Sequence, residues 1–407
     1  SREALPKPTA QPGHRFGERS SSLRCDGVAH VVVLSGGFGG LAVAARLVRF
    51  GHDVTVLEQG DSLGAPIGRY ERDGFQFDIG ATHITLPATL RDLLRKSGRP
   101  LEQELDLVAI DPAARYLLPD GGVLDLPNAS RAGALRAISA AFGSQTAQEW
   151  DALIRHGERI WNVLHQHAYG PERRLSWRER RIVAAGTPLL RTVSRKLTAP
   201  GARQVLEHLC AEAGFPPLKA PATLIALAYI EQTFGVWRVR GGLYQVIAVL
   251  VERIKQRAPI RTGVDDETIR RAIHRADVVV TEATAYVPYG TVVVALDGRT
   301  EDAAERTVPS PEVTIWSPAG QDMRPDGCEA WTVTVHLPTG SDAWEELHRQ
   351  IAGRVRWVQQ VSPPQTVTTP VIEHSHHYRI APTTQLGATL PYIAMSAARV
   401  ATLIGPA

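Results

Sequence analysis

Residues 30–58 set an apolar β-branched run, a glycine-rich turn, a helical pattern and a second apolar run end to end, and few folds accept that order. HVVVL (30–34) is apolar at both parities, as a parallel strand covered on both faces is. The turn SGGFGG (35–40) leads into LAVAARLVRFG (41–51), where Gly51 is placed to end a helix. HDVTVLE (52–58) closes the unit as another buried strand. A strand feeding a glycine turn and a helix makes an anion site: the turn admits phosphate to the backbone, and the helix start offers free N–H groups. Against the pattern GxGxxG, Ser35 replaces the first glycine while Gly37 and Gly40 stand. Glu58, 18 residues beyond Gly40, is placed to accept from a ribose diol. The unit predicts a doubly wound α/β fold with a dinucleotide at its first turn.

A chain of 407 residues, 43% of them hydrophobic, has room for two to three domains around that unit. The net charge of +3, with forty of the 45 basic residues Arg, argues against nucleic acid as a partner. Cys25, Cys210 and Cys328 lie too far apart for a disulfide framework, and no apolar run reaches the ~18 residues of a membrane span. A cytoplasmic protein is expected. Residues 1–27, with three prolines, four serines and five bases, read as a disordered tail.

Residues 68–86 read as strand–turn–strand about Asp73-Gly74. From 128 to about 219 the pattern is helical and Arg-rich, with Trp150, Trp161 and Trp177 along it. A second α/β stretch follows Gly241: LYQVIAVLVERI as a helix, APIRTG and ADVVVTEA (276–283) as strands. EVTIWSP (312–318) and EAWTVTVHLP (329–338) read as a strand pair, WEELHRQIAGRVRW (344–357) and YIAMSAARVATLIG (392–405) as helices.

The segments VVVLSGGFGGLAVAARL, VTVLEQGDSLGAPIGRYERDGFQFDIGATHITLP, YIEQTFGVWRVRGGLYQVIAVL and LGATLPYIAMSAARVATLI follow in the order seen in bacterial phytoene desaturases. After residue 28 the chain resembles that carotenoid desaturase group of the flavin amine-oxidase superfamily. The resemblance implies an α/β chain, a two-part Rossmann-like FAD-binding fold with an inserted α+β substrate domain. It assigns 28–127, 236–300 and 372–407 to the first domain, and 128–235 and 301–371 to the second. It implies FAD contacts from Ser35, Gly37, Phe38, Gly39, Gly40, Glu58, Gln59 and Val264, and from the C-terminal turn Gly387, Ala388 and Thr389. The substrate it implies is a long polyene or isoprenoid reached from a membrane face, with His83 near the flavin ring.

Four departures bear on those contacts. Relatives have Gly where Ser35 stands, and a side chain there is expected to crowd the phosphate turn. Gly64-Ala65-Pro66 stands where they carry Gly-Gly-Arg or Gly-Gly-Lys; Arg69 is the nearest substitute. About a dozen residues separate Gly263 from ADVVV, so the strands that hold adenosine in relatives are missing or very short. Gln385-Leu386 replaces the His-Pro of the ring-side turn. Together they predict a flavin held weakly or lost.

Glu231, beside Tyr229, Phe234 and Trp237, is a candidate proton acceptor, because an apolar setting raises a carboxylate toward neutrality; the plainer role is a helix-end carboxylate bonded to backbone. His83 is a second catalytic candidate, or a structural histidine after a strand. His374, His376 and His377, like His165 and His167, lack acidic or Cys partners at ligand spacing apart from Glu373, so no metal is expected. ERRLSWRERR (172–181), with Trp177, suits an anionic membrane surface or a solvated helix face. Three functions follow: an FAD-dependent desaturase or oxidoreductase of a hydrophobic polyene, a non-redox cyclase or isomerase on the same scaffold, or a lipid-binding pseudoenzyme.

Overall fold

Continuous burial on both faces makes His30–Leu34 (β1) a central strand, and Asp53–Leu57 (β2) lies parallel to it with Val31 opposite Val54 and Val33 opposite Val56. Phe38–Phe50 (α1) joins them. Gly51 ends that helix at φ 101°, its N–H returning to the Leu47 and Val48 carbonyls. The computed structural model describes residues 27–169, 175–183, 197–217, 219–283, 290–318, 323–336, 340–362, 376–380 and 390–407. The expected tail before Gly27, the Gly387–Thr389 turn and His374 lie outside them.

Ile67–Arg72 (β3) and Phe75–Gly80 (β4) form a hairpin whose tip, Asp73 and Gly74, takes positive φ at both positions (52° and 79°). Ile84–Thr85 (β5), Ala88–Ser97 (α2), Leu107–Ala109 (β6), Ala114–Leu117 (β7) and Val123–Leu126 (β8) follow. A helical layer comes next: Arg131–Phe142 (α3), Ser144–Tyr169 (α4), Trp177–Val183 (α5), Pro200–Glu212 (α6) and Ile225–Phe234 (α7). Trp150 and Trp161 sit in its core. The chain then returns through Val236–Val239 (β9), Tyr244–Lys255 (α8), Ile260–Arg261 (β10), Asp266–Arg275 (α9) and Val278–Glu282 (β11). It goes on to Gly290–Asp297 (β12), Arg306–Ser310 (β13), Val313–Trp316 (β14) and Cys328–Val335 (β15). Ser341–Ile351 (α10), Val355–Val361 (β16), His377–Ile380 (β17) and Leu390–Ile404 (α11) complete it.

Two sheets organise these elements. A parallel five-stranded sheet runs β10-β2-β1-β11-β17. Side chains of α1, α2, α8 and α11 cover one face, and Ile269 of α9 packs on Val32, Leu34 and Val279 of the other. This is the doubly wound α/β layer that the βαβ pattern predicts. The second sheet runs β16-β12-β15-β14-β13-β7-β8. It draws β7, β8 and β12 from stretches assigned by resemblance to the first domain, so the sheet crosses the sequence boundaries at 127/128 and 300/301.

Two local differences have physical causes. The expected helix over 344–357 stops at Ile351, and Val355–Val361 is a strand. Gly353 interrupts the helix, and β16 bonds to the edge of β12 instead. Between Gly263 and β11, in place of a hairpin, stands α9, capped by Asp265, whose side chain accepts from the Thr268 N–H at 2.8 Å.

Candidate functional site

Two polar constellations lie apart in sequence and are built by the two sheets. The first is the glycine turn at the end of β1. Glu58, 4% exposed, accepts from the N–H of Gly36 at 2.6 Å and of Gly60 at 2.8 Å. The Val264 N–H bonds to the Glu58 carbonyl, and Gln59 donates to Asp266 at 2.8 Å. The first N–H groups of α1 are all taken by protein. Gly37 N–H meets Ser35 Oγ at 3.0 Å, and Phe38 N–H meets the Ala65 carbonyl at 2.9 Å. Gly39 and Gly40 N–H meet Glu282 Oε1 and Oε2 at 3.1 and 3.0 Å. Ser35, buried and expected to crowd this turn, instead donates to Glu282 Oε2 at 2.7 Å. Arg69, the proposed substitute cation, lies on β3 and pairs with Glu71.

The second constellation surrounds Arg306 at the start of β13. Its guanidinium is wholly buried, 2.7 Å from Glu212 of α6 and 3.2 Å from Glu231 of α7. His208 Nε2 is 3.3 Å from Arg306 Nη2, and His83 Nε2 is 3.8 Å from Glu212. His336, just past β15, bonds Thr314 at 2.8 Å. Glu231 is therefore an ion-pair partner within a buried network, while its backbone carbonyl caps the helix through the Gly235 N–H. Sequence reading reaches Glu231 and His83 and misses Arg306, Glu212, His208 and His336. His208 and Glu212 stand four apart on α6, a spacing that places both on one helix face, but Arg306 lies 94 residues from Glu212 and His336 lies further still, so nothing local joins the set.

Electrostatics follow from burial with one strong cation. Burial pushes His83 and His336 down to about 4 and His208 to about 3, so all three are neutral at pH 7. Burial alone would raise Glu212, but Arg306 and the histidines outweigh it and hold it below the usual carboxylate range. Burial, reinforced by neighbouring Glu212, keeps Glu231 above that range against the pull of Arg306. His83, Glu212 and Glu231 come within 4.8 Å of one another, a spacing that suits a metal. Arg306 already supplies the positive charge there, and a second cation beside a buried guanidinium is opposed by simple repulsion. His376 and His377 point to different partners, the Asp277 carbonyl and Thr281.

A cavity of about 140 Å³ opens onto this network. Leu209, Leu227, Ile230, Trp316, Leu390 and Pro391 wall it, and His83, Glu212, Glu231 and His336 form its polar end. Leu390 and Pro391 of α11, the helix that covers the five-stranded sheet, and Thr314, Trp316 and Thr334 of the seven-stranded sheet line the same cavity.

A doubly wound layer carrying a glycine turn, joined to a second sheet and helices across one cavity, defines a dinucleotide-binding two-layer protein. The profile of the flavin containing amine oxidoreductase family matches residues 38–318, and the chain belongs to that family. It is 26% identical over 257 residues to the 4,4'-diaponeurosporene oxygenase of Staphylococcus aureus, covering 59% of this chain and 50% of that protein. The chain thus spans about half the length of the curated relatives it matches. Among solved structures, an oxidoreductase from Methanosarcina mazei matches with TM-score 0.62 at 15% identity, over 91% of this chain and 99% of that one. Cyclohexylamine oxidase from Brevibacterium oxydans matches with TM-score 0.62 at 13% identity, over 93% and 99%. These likenesses establish the fold.

The family's cofactor is FAD, and the donor set of the glycine turn is of the kind that holds one. Glu58 is placed for the ribose, and Val264 stands beside it. A Cβ at Gly37 or Gly39 would strike the Glu282 carboxylate, so these two glycines keep room for an anionic group on the turn, while one at Gly40 would strike the Ser35 carbonyl, so that glycine lets the helix approach the strand. The residues fit the cofactor, with the Glu282 side chain standing in for an anion on Gly39 and Gly40.

Proposed function

We propose that this chain is an FAD-dependent oxidoreductase that dehydrogenates a hydrophobic, isoprenoid-type substrate. The observation that carries this reading is the apolar cavity closed by Glu231, Glu212, His83 and His336, lined by the seven-stranded sheet on one side and by α11 of the dinucleotide layer on another. Glu58 and the N–H groups of Gly37, Gly39 and Gly40 would hold FAD, which when bound supplies the acceptor for a hydride. Desaturation removes a hydride from one carbon and a proton from its neighbour. Glu231 is the group suited to the proton: it lines the cavity, and burial raises it above the usual carboxylate range, which makes it a stronger base than an exposed carboxylate. Glu212, held ionised by Arg306, neutralises the guanidinium, and the three neutral histidines leave the cavity without added charge. Its volume, close to the ~150 Å³ of a cavity that takes benzene, admits one segment of a polyene, with the remainder lying outside. The carotenoid substrate named for the Staphylococcus aureus relative supports this class.

The test is to reconstitute the chain with FAD, exclude oxygen and add phytoene or 4,4'-diaponeurosporene. Bleaching of the flavin's visible band with a desaturated product is expected, and Glu231→Gln should slow it at unchanged flavin content. A rearranged product at the redox level of the substrate, with flavin still oxidised, would favour the cyclase or isomerase reading, for which the acid–base network is complete without a hydride acceptor.

The protein works in the cytoplasm at a membrane face on this reading, since such substrates partition into lipid. Trp177 is 69% exposed with the Arg178 guanidinium 5.2 Å from its ring, which supports a shallow interfacial anchor. Among the described residues no helix is long and apolar enough to cross a membrane. Sedimentation with anionic liposomes should occur at low salt and fall as salt rises; binding indifferent to lipid charge would remove this part of the proposal.

A further inference from the structure

The phosphate turn holds an anion that belongs to the protein. Glu282 is the last residue of β11, and its backbone is fixed by the strand's pairing with β1 and β17. Its side chain is 3% exposed and makes three bonds, to the Gly39 and Gly40 N–H groups and the Ser35 hydroxyl. Those two N–H groups are the ones at the helix start that a carboxylate satisfies; Gly37 N–H is held by Ser35 Oγ and Phe38 N–H by the Ala65 carbonyl. Ser35, the residue that breaks the glycine pattern, supplies the hydroxyl that holds the carboxylate in place, so the two unusual features of this turn are bonded to each other.

We propose that Glu282 is a tethered competitor of the cofactor's pyrophosphate. FAD seats its phosphates only when the Glu282 carboxylate rotates off Gly39 and Gly40, and Ser35 is the latch that returns it. The cofactor is then an exchangeable ligand rather than a permanent one. Two anions on the same pair of N–H groups repel strongly at this depth, so both cannot stay. Burial, with Glu58 just past β2 acting as a like charge, raises Glu282 to about 7 against the pull of Ser35 and the two N–H groups, which marks the carboxylate as one held at a cost. Glu58 keeps its own two N–H partners, so the ribose end is not part of the competition.

This inference rests on the flavin reading above, and the experiment separates the two. Wild type, Glu282→Gln, Glu282→Ala and Ser35→Gly are purified as full chains and titrated with FAD by quenching of flavin fluorescence. Riboflavin, which has no phosphate, is the control. FAD should bind both Glu282 variants about tenfold or more tightly than wild type, with Ser35→Gly between, and riboflavin affinity should be unchanged throughout. Glu282→Gln keeps the size and most bonds of the side chain, so it reports even where Glu282→Ala fails to fold. Equal FAD affinity in wild type and the Glu282 variants would overturn the competitor and leave the flavin reading standing. An equal gain for riboflavin would also overturn it, because the effect would then not act on phosphate. Absence of FAD binding in every protein would overturn both.

Discussion

Arg306 is the residue on which the buried network depends, because both Glu212 and Glu231 lean on one wholly buried guanidinium. Removing one member of a buried pair leaves its partners charged and desolvated, which costs about 3–5 kcal/mol. Arg306→Met should therefore lower stability by about that amount at pH 7, read as a fall in the urea midpoint, and Glu212 should lose most of its depressed pKa. A variant with wild-type stability would mean that Glu212 and Glu231 find other partners. Residues of this kind were not legible in the sequence. Glu58 and the glycines could be read because a βαβ unit places them within one short stretch. Glu282 reaches Ser35 across 247 positions through the pairing of β11 with β1, and Arg306 on β13 reaches Glu231 on α7 across 75, so only the assembled fold brings each pair together.

Elements were legible where periodicity was local and strong. β1, α1, β2, the β3–β4 hairpin, α8, β11 and α11 stand where their patterns put them, because burial on one or both faces writes itself into the sequence. β16 was not: its residues follow a helix, and edge pairing to β12, not their own pattern, decides their conformation. The tightest of these elements is the junction of β1 and α1. A Cβ at Gly40 would overlap the backbone carbonyl of Ser35, which no side-chain rotation relieves. Gly40→Ala should cost roughly 2–3 kcal/mol by forcing helix and strand apart, and it should weaken Glu282's hold on the turn. The check is a thermal unfolding comparison with Gly121→Ala, where a Cβ would meet nothing within 4 Å and only its own positive φ opposes the change. A Gly40→Ala loss no larger than that of Gly121→Ala would refute the close approach.

The whole molecule combines two sets of buried groups with opposite pH dependence. His83, His208 and His336 titrate near 4, 3 and 4 when folded and near 6.5 when unfolded. As pH falls through 6.5 the unfolded chain takes up protons that the folded chain refuses, so these groups lower stability on the acid side. Asp78, which accepts from the Leu243 N–H at 2.8 Å, and Glu282 run the other way. Each titrates near 7 when folded, against 3.8 and 4.5 for the unfolded chain, so their contribution is full below the unfolded values and is lost as pH rises through 7. Glu231, also raised, adds to that side. Between pH 7 and 5 each histidine, Asp78 and Glu282 is worth roughly 2 kcal/mol, so the two carboxyl groups offset most of the histidines' loss in that window and Glu231 works in the same direction as they do. Wild-type stability should therefore change little over it. Removing Asp78 and Glu282 together, as Asp78→Asn with Glu282→Gln, leaves the histidines largely unopposed, and the urea midpoint should then fall clearly from pH 7 to pH 5. His336→Gln should tilt the profile the opposite way, with the midpoint higher at pH 5 relative to pH 7 than in wild type. A double variant whose midpoints track wild type at both values would show that these carboxyl groups do not carry the opposing half of the balance.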